Sequence, residues 1–340
     1  MISSGQDGAA APRQVTATDV ARAANVSQST VSLVMSGKWQ NRIGKETARR
    51  VIDTARVMGY RTNIAARSLR LGGTGAALMV VPALTNPFFA AVHAGAARVG
   101  MEHGVGLVLF PLGAEDGRGP FSAPQQAIDG VISCSVSPDS VSALRDGLPL
   151  VVLDDAPSFE APVVSMDVTG GMEQAVKHLV GLGHRRILHV RASRSAWTFT
   201  SRSVAFVRGS LTYPDLAAYQ VACSFEPADA RDRVTKVLAK AHRPTAVICD
   251  DDNIAVGVYA AASQLGIVIP DDLSVVGFND LPIASLLYPQ LTSVCLPAEE
   301  LGAQGMHAYL RLRQGVTNDP VSLPVHLVVR GSTGPPSQAA

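Results

Sequence analysis

The 340 residues carry 29 Lys and Arg against 28 Asp and Glu, a formal net charge of +1, and 47% of them are apolar. A chain of this kind is globular, of two or three domains, and long enough to bury a sizeable core. No run approaches the roughly 18 uninterrupted apolar residues of a membrane helix, and MISSGQDGAAAPRQ has no basic region followed by an apolar one, so a cytoplasmic protein with no membrane partner is expected. Cys134, Cys223, Cys249 and Cys295 lie far apart, without the close pair spacings of metal or redox motifs. They read as ordinary thiols, and no metal or cofactor is expected.

The near-neutral total hides an asymmetry. Residues 13–70 hold 11 basic and 3 acidic side chains, a balance of +8, which leaves the remainder at −7. A basic N-terminal block on a mildly acidic body is the electrostatic footprint of a nucleic-acid reader attached to something else. Inside that block, VTATDVARAANVSQSTVSLVMSG predicts two short helices. Thr16 or Thr18 caps the first, which carries Val20, Ala21 and Ala24 on its apolar side. Asn25 and Val26 break it, and Ser27 caps a second helix with Val31 and Val34 at helical spacing. Two such helices with a tight turn make a helix-turn-helix, whose second helix presents Gln28, Ser29 and Ser32 outward, toward base edges in a major groove. A third stretch, GKETARRVIDTARVMGY, puts Ala48, Val51, Ile52, Ala55 and Met58 on one side and Arg49, Arg50 and Arg56 toward water, completing a three-helix bundle.

These words, with YRTNIAARSLR after them, resemble the LacI/GalR family of bacterial transcription regulators. The resemblance implies DNA contacts from Thr16, Ser27, Gln28, Ser29, Thr30, Ser32 and Leu33, and a hinge carrying Asn63, Ala66, Arg67 and Leu69. In that family the hinge folds on DNA and a leucine wedges into a minor-groove step, a role it gives to Leu69. Two departures stand out. Leu33 occupies the place of the family's guanine-reading arginine, where a leucine has a thymine methyl within its repertoire. The loop SGKWQNRIGKET is longer than usual, and Lys38 and Arg42 within it are either phosphate contacts or solvated.

After LRLGGTG the pattern changes. AALMVVP, GVGLVLFP, DGVISCSV, LPLVVLDD, RRILHV, TAVICDD and LSVVGFND are short apolar runs that end in Pro, Gly, Asp or another polar residue, as buried strands of parallel sheets do. Between them, FFAAVHAGAARVGMEHG, TGGMEQAVKHLVGLGH and NIAVGVYAAASQLG carry helical periodicity. The alternation predicts doubly wound parallel sheets, with room for two lobes. Such sheets bind ligands beyond the carboxyl ends of their strands, which singles out Asn86, Phe88, Phe89, Asp154, Asp251, Asp252, Asn279 and Asp280. The words TNPFF, VVLDD, GLGHRRILHV and LVVRGST also resemble the family's two-lobed, periplasmic-binding-protein-like effector domain. The resemblance implies an effector cleft formed by Phe88, Phe89, Asp154, Arg202, Asp251, Asp252 and Asn279. Asp252 reads either as a ligand contact or as the cap of the following helix, Arg202 as a ligand fork or a bridge between loops, and Trp197 as a ring at the cleft edge.

The resulting organisation is a disordered N-terminal extension over 1–14, an all-α helix-turn-helix headpiece over 15–61, a hinge and linker over 62–74, an α/β two-lobed effector and dimerisation domain over 75–334, and a flexible tail over 335–340. An enzyme is the second reading. It lacks support: there is no GxxxxGK[ST], no GxGxxG opening a helix after a strand, no GxSxG and no HExxH. A secreted sugar-binding protein, the third, leaves residues 15–70 unexplained. The expected function is a repressor, located with the nucleoid, that binds a palindromic operator as a homodimer and responds to a small effector. A sugar is the first expectation for that effector, and a nucleoside or purine the second.

Overall fold

The computed structural model describes residues 15–60, 74–113, 128–136, 147–156, 161–316 and 319–337. The expected hinge residues Asn63, Ala66, Arg67 and Leu69 lie outside these. The chain divides into two compact units at Thr74/Gly75.

The first unit is a bundle of α1 (Ala17–Ala23), α2 (Gln28–Met35) and α3 (Lys45–Val57). Of the two threonines, Thr16 is the cap of α1. Its side chain takes the Asp19 N–H while Asp19 reaches back to the Thr16 N–H, a reciprocal capping box. Ser27 caps α2 through the Thr30 N–H. Val20, Ala24, Val31, Val34, Ala48, Val51 and Ala55 form the core. Ile52, expected on the apolar side of α3, is 39% exposed; a helix this thin buries only the narrow stripe Ala48, Val51 and Ala55. Trp39 packs on the same core from the longer loop, and Asn41 takes φ of 63° to turn it. Arg50, although exposed, donates to the Ala24 carbonyl and so ties α3 to the turn between α1 and α2.

The second unit holds two sheets. One lobe carries β1 (Ala76–Val81), β2 (Gly106–Pro111), β3 (Val131–Cys134), β4 (Leu150–Leu153), β5 (Val163–Met166) and the late strand β11 (Val321–Leu323), in the order β11-β5-β4-β3-β1-β2. The other carries β6 (Arg186–Ala192), β7 (Ala217–Cys223), β8 (Ala246–Cys249), β9 (Ser274–Asn279), β10 (Thr292–Cys295) and β12 (His326–Val328), in the order β12-β10-β9-β8-β6-β7. All pairings are parallel except β10 with β12. The first lobe packs α4 (Pro87–Glu102) and α9 (Ala298–Arg313); the second packs α5 (Val168–Gly181), α6 (Trp197–Thr212), α7 (Pro227–Leu238) and α8 (Asp252–Gln264). The chain thus passes between the lobes three times, after β5, after β10 and after β11.

The continuous apolar strands are explained by burial on both faces. Along β1, Ala77, Met79 and Val81 enter one core and Leu78 and Val80 another, as the period of two requires. In the second lobe Ile187, Ile248 and Val276 face α5 and α6, whereas Leu188, Val247 and Val275 face the core of α7 and α8. Helices α4 and α9 meet almost backbone to backbone. A Cβ on Gly95 would collide with the Glu299 carbonyl, and one on Gly302 with that of Val92. The chain stays anchored beyond residue 334, because Gly334 bonds to His184 and Ser274 and Pro336 lies against Gly183. The part of the expected flexible tail from residue 338 on lies outside the described residues.

Candidate functional site

Each unit offers a candidate site. On the headpiece, Gln28 and Ser29 are exposed at the start of α2, and Thr30, Ser32 and Leu33 are half-buried beside them. The Ser27 hydroxyl lies 2.7 Å from that of Ser29 and 2.9 Å from that of Thr30, so these three side chains form one cluster at the helix start. The hydroxyl of Thr16 is held by Asp19 at 2.6 Å.

In the body, a cavity of about 370 Å³ opens between the two lobes, at the carboxyl ends of the strands. It is lined from one lobe by Asn86, Phe88, Phe89, Ser135 and Asp154, and from the other by Thr198, Phe199, Arg202, Phe225, Asp251 and Asn279, with Arg194 and Glu226 among the remaining lining residues. Three lining residues at strand ends have left-handed backbones: Ser135 (φ 53°), Asp154 (φ 55°) and Asn279 (φ 98°). Such strained positions, held by the surrounding sheet, turn side chains out of the strand direction and over its end.

Asp154 is 4% exposed. Its Oδ2 accepts from the Ser135 hydroxyl at 2.7 Å, whereas Oδ1 is buried with no hydrogen-bond partner among the described residues. Burial pushes its carboxyl up to about 6, against the opposing pull of Ser135, the Arg202 guanidinium and Thr198. Arg202 is also buried. It donates from Nη1 to the Asp250 carbonyl at 2.6 Å and from Nη2 to Thr198 at 3.2 Å. Its guanidinium lies 4.4 Å from the Phe278 ring centre and 5.3 Å from that of Phe199. The Nε of Arg202 has no partner among the described residues. Behind it, the Asp250 carboxylate takes the Ala192 N–H and His189 Nε2–H, each at 2.9 Å, and Gln220 donates to the other His189 nitrogen. This buried network fixes the carbonyl that orients Arg202.

Asp251 and Asp252 differ although adjacent. Asp251 caps α8 by accepting from Asn253 N–H at 2.8 Å, and its other oxygen accepts from Asn279 at 2.6 Å and Asn86 at 2.7 Å. Asp252 is not in the cavity wall. It is fully buried beneath it, accepting from the Ser293 hydroxyl and the Leu281 N–H, and Gly277 leaves the space it fills. Burial pushes its carboxyl up to about 8. The expectation that Asp252 is a ligand contact is corrected: it staples the first turn of α8 to β10 and the segment after β9, and the helix cap is Asp251. Trp197 is likewise absent from the wall. It is the first residue of α6 and packs against the body core. Sequence reasoning passed over Ser135, Thr198, Phe199 and Phe225. Ser135 directly follows an apolar run, so the rule that selected Asp154 selects it too. Phe225 sits after β7, a strand the sequence does not announce.

A family profile described as "Bacterial regulatory proteins, lacI family" matches residues 16–63, and one described as "Periplasmic binding protein-like domain" matches residues 176–333. The ribose operon repressor of Escherichia coli (strain K12) is 30% identical over 297 residues, 84% of this chain and 88% of that one. The chain belongs to the LacI family of bacterial transcription regulators. As a family member it is a ligand-responsive DNA-binding regulator and not an enzyme. The fold agrees with that of the lac repressor dimer bound to operator and the anti-inducer ONPF, with a TM-score of 0.78, 22% identity, and coverage of 95% of this chain and 100% of that one. A LacI family regulator from Enterococcus faecium with bound ribose gives a TM-score of 0.68 at 24% identity over 76% of this chain and 99% of its own. Among the described residues no helix is long and apolar enough to cross a membrane, and no group of three or more His, Cys, Asp or Glu side chains is placed to hold a metal ion.

Proposed function

We propose that this LacI family member is a cytoplasmic repressor that binds a palindromic operator as a homodimer and takes a sugar or sugar derivative in the interlobe cavity. The observation that carries the effector reading is the pair Asp154 Oδ1 and Arg202 Nε. One is an acceptor, the other a donor; both are buried without partners among the described residues, and they come from opposite lobes. A hydroxyl donates and accepts at once, so a polyol satisfies both and relieves the cost of leaving them bare. Asn279 supplies a further amide, and Phe88 and Phe89, packed edge to face at 5.4 Å, cover an apolar sugar face. Asp251 acts on the effector through the two asparagines it holds. The names of the ribose operon repressor and the ribose-bound neighbour point the same way.

On the DNA side, Gln28 and Ser29 read base edges, with Thr30, Ser32 and Leu33 behind them, while Thr16 and Ser27 hold the helix starts against phosphates. Asn63, Ala66 and Arg67 form the hinge and Leu69 the minor-groove wedge. A headpiece reads one half-site, so a twofold operator requires two copies. The test is a thermal-shift screen of pentoses, hexoses and nucleosides. A sugar is expected to raise the melting temperature of the parent protein and not that of Arg202→Met. Stabilisation by nucleosides alone contradicts the sugar assignment, and equal stabilisation of the variant contradicts the site.

A further inference from the structure

A hydrogen bond between side chains joins the two walls of the cavity. Asn86 belongs to the first lobe, where its Oδ1 accepts from Phe88 N–H at 3.0 Å and caps α4. Its Nδ2 crosses the cleft and donates to Asp251 Oδ2 at 2.7 Å. That same oxygen takes Asn279 Nδ2 from the end of β9, and the other oxygen takes the Asn253 N–H. Asp251 is 1% exposed. Three donors therefore converge on one carboxylate that water scarcely reaches, two from its own lobe and one from across the cleft.

We propose that Asp251 and Asn86 form an interlobe clasp that holds the cleft closed before any effector enters. The two donors from the second lobe fix the carboxylate in place, because Asn253 and Asn279 are anchored on α8 and β9. The third, crossing bond is the one that closure makes and opening breaks. A hydrogen bond to a buried carboxylate is of the strong, charge-assisted kind, and it gains strength from the low dielectric around it. Opening the cleft leaves the Asn86 amide without this partner. Both ends of the clasp are themselves helix caps, so closure also sets the N-termini of α4 and α8 against each other. An effector accordingly meets a protein whose lobes are already biased together, and it shifts the open and closed populations only by its differential affinity for them.

The clasp is testable on effector-free protein, so the outcome does not depend on whether the cavity takes a sugar. Asn86→Asp keeps an oxygen that caps α4 and replaces the crossing donor with a second carboxylate facing Asp251. Asn86→Ser also keeps a capping hydroxyl but cannot reach across. Adding Asp251→Asn to Asn86→Asp restores a donor and an acceptor in reversed order; the amide oxygen introduced by the second change still accepts from Asn253 N–H, and the Asn279 amide is free to turn. Spin labels on Leu84 and Ala228, both exposed beside the cavity lining on opposite walls, report the separation by double electron–electron resonance, with labelled chain diluted into unlabelled. The expected result is one short distance in the parent, a longer one in Asn86→Asp, an intermediate distribution in Asn86→Ser, and return to the short distance in the double variant. A parent that is already predominantly open overturns the proposal. So does an Asn86→Asp or Asn86→Ser distance indistinguishable from the parent, or a double variant that stays open.

Discussion

Replacing Asp154 by Asn is expected to stabilise the body at neutral pH. The folded protein holds this carboxyl near 6, raised from an ordinary value of 3.8, chiefly by burial. A raised folded value means that the folded state binds the proton more tightly than the unfolded chain does. The associated stability is fully present below the unfolded value and is lost as the pH rises through the folded one. The rise from 3.8 to about 6 costs about 3 kcal/mol above pH 6, and the loss accumulates between about pH 4 and pH 6. Asn carries no charge, accepts the Ser135 hydroxyl equally well, and tolerates the left-handed backbone at this position (φ 55°). Its amide nitrogen, however, takes the place of the partnerless Oδ1, which removes part of the gain. The net expectation is a gain of about 1 to 3 kcal/mol at pH 7.5 that disappears near pH 3.5. Urea unfolding of both proteins, followed by far-ultraviolet circular dichroism at both pH values, measures it. Equal stabilities at pH 7.5, or a pH slope unchanged by the substitution, would refute the assignment of a buried, poorly compensated carboxylate to Asp154.

Gly302→Ala places a methyl against the Val92 carbonyl at the crossing of α4 and α9, and is expected to destabilise the body by about 1 to 3 kcal/mol in chemical denaturation. Thr16→Ala removes one half of the capping box of α1 and is expected to cost the headpiece about 1 kcal/mol, read as a lower melting temperature for that unit. Leu69→Ala is expected to weaken operator binding and reduce the bend seen by gel phasing while sparing effector affinity; a variant that bends DNA like the parent assigns Leu69 to packing.

Much of this architecture is legible in the sequence because its signals are local. Thr16 and Ser27 lie directly ahead of short periodic stretches, and the apolar runs of β1, β3, β4, β6, β8 and β9 are central strands, while that of β2 is an apolar edge strand. β7 escapes detection because it is an edge strand, with Ala218, Tyr219 and Gln220 exposed, so AAYQVAC shows no continuous apolar run. α9 escapes because Gly302, Ala303, Gly305 and Ala308 interrupt the apolar stripe of Leu301, Met306 and Tyr309, Gly302 lying against the backbone of α4. The cleft is partly legible, since strand ends supply Asp154, Asp251 and Asn279. What adjacency cannot convey is direction. In Asp250, Asp251 and Asp252 three identical side chains take three tasks, holding His189, crossing the cleft and stapling β10. Which one faces the cavity is decided by where α8 begins, and that is fixed by tertiary hydrogen bonds.

Coupling between the headpiece and the interlobe cavity can be measured by fluorescence anisotropy of a labelled palindromic operator. The operator is titrated with the protein at fixed moderate salt, with and without the sugar that stabilises the protein most. Specific binding is expected to fall steeply as salt is raised, as the +8 of residues 13–70 requires. The affinity is expected to change at least several-fold with the sugar in the parent but not in Arg202→Met. Operator affinity that is indifferent to every sugar that binds, or a response retained in full by Arg202→Met, would contradict the coupling.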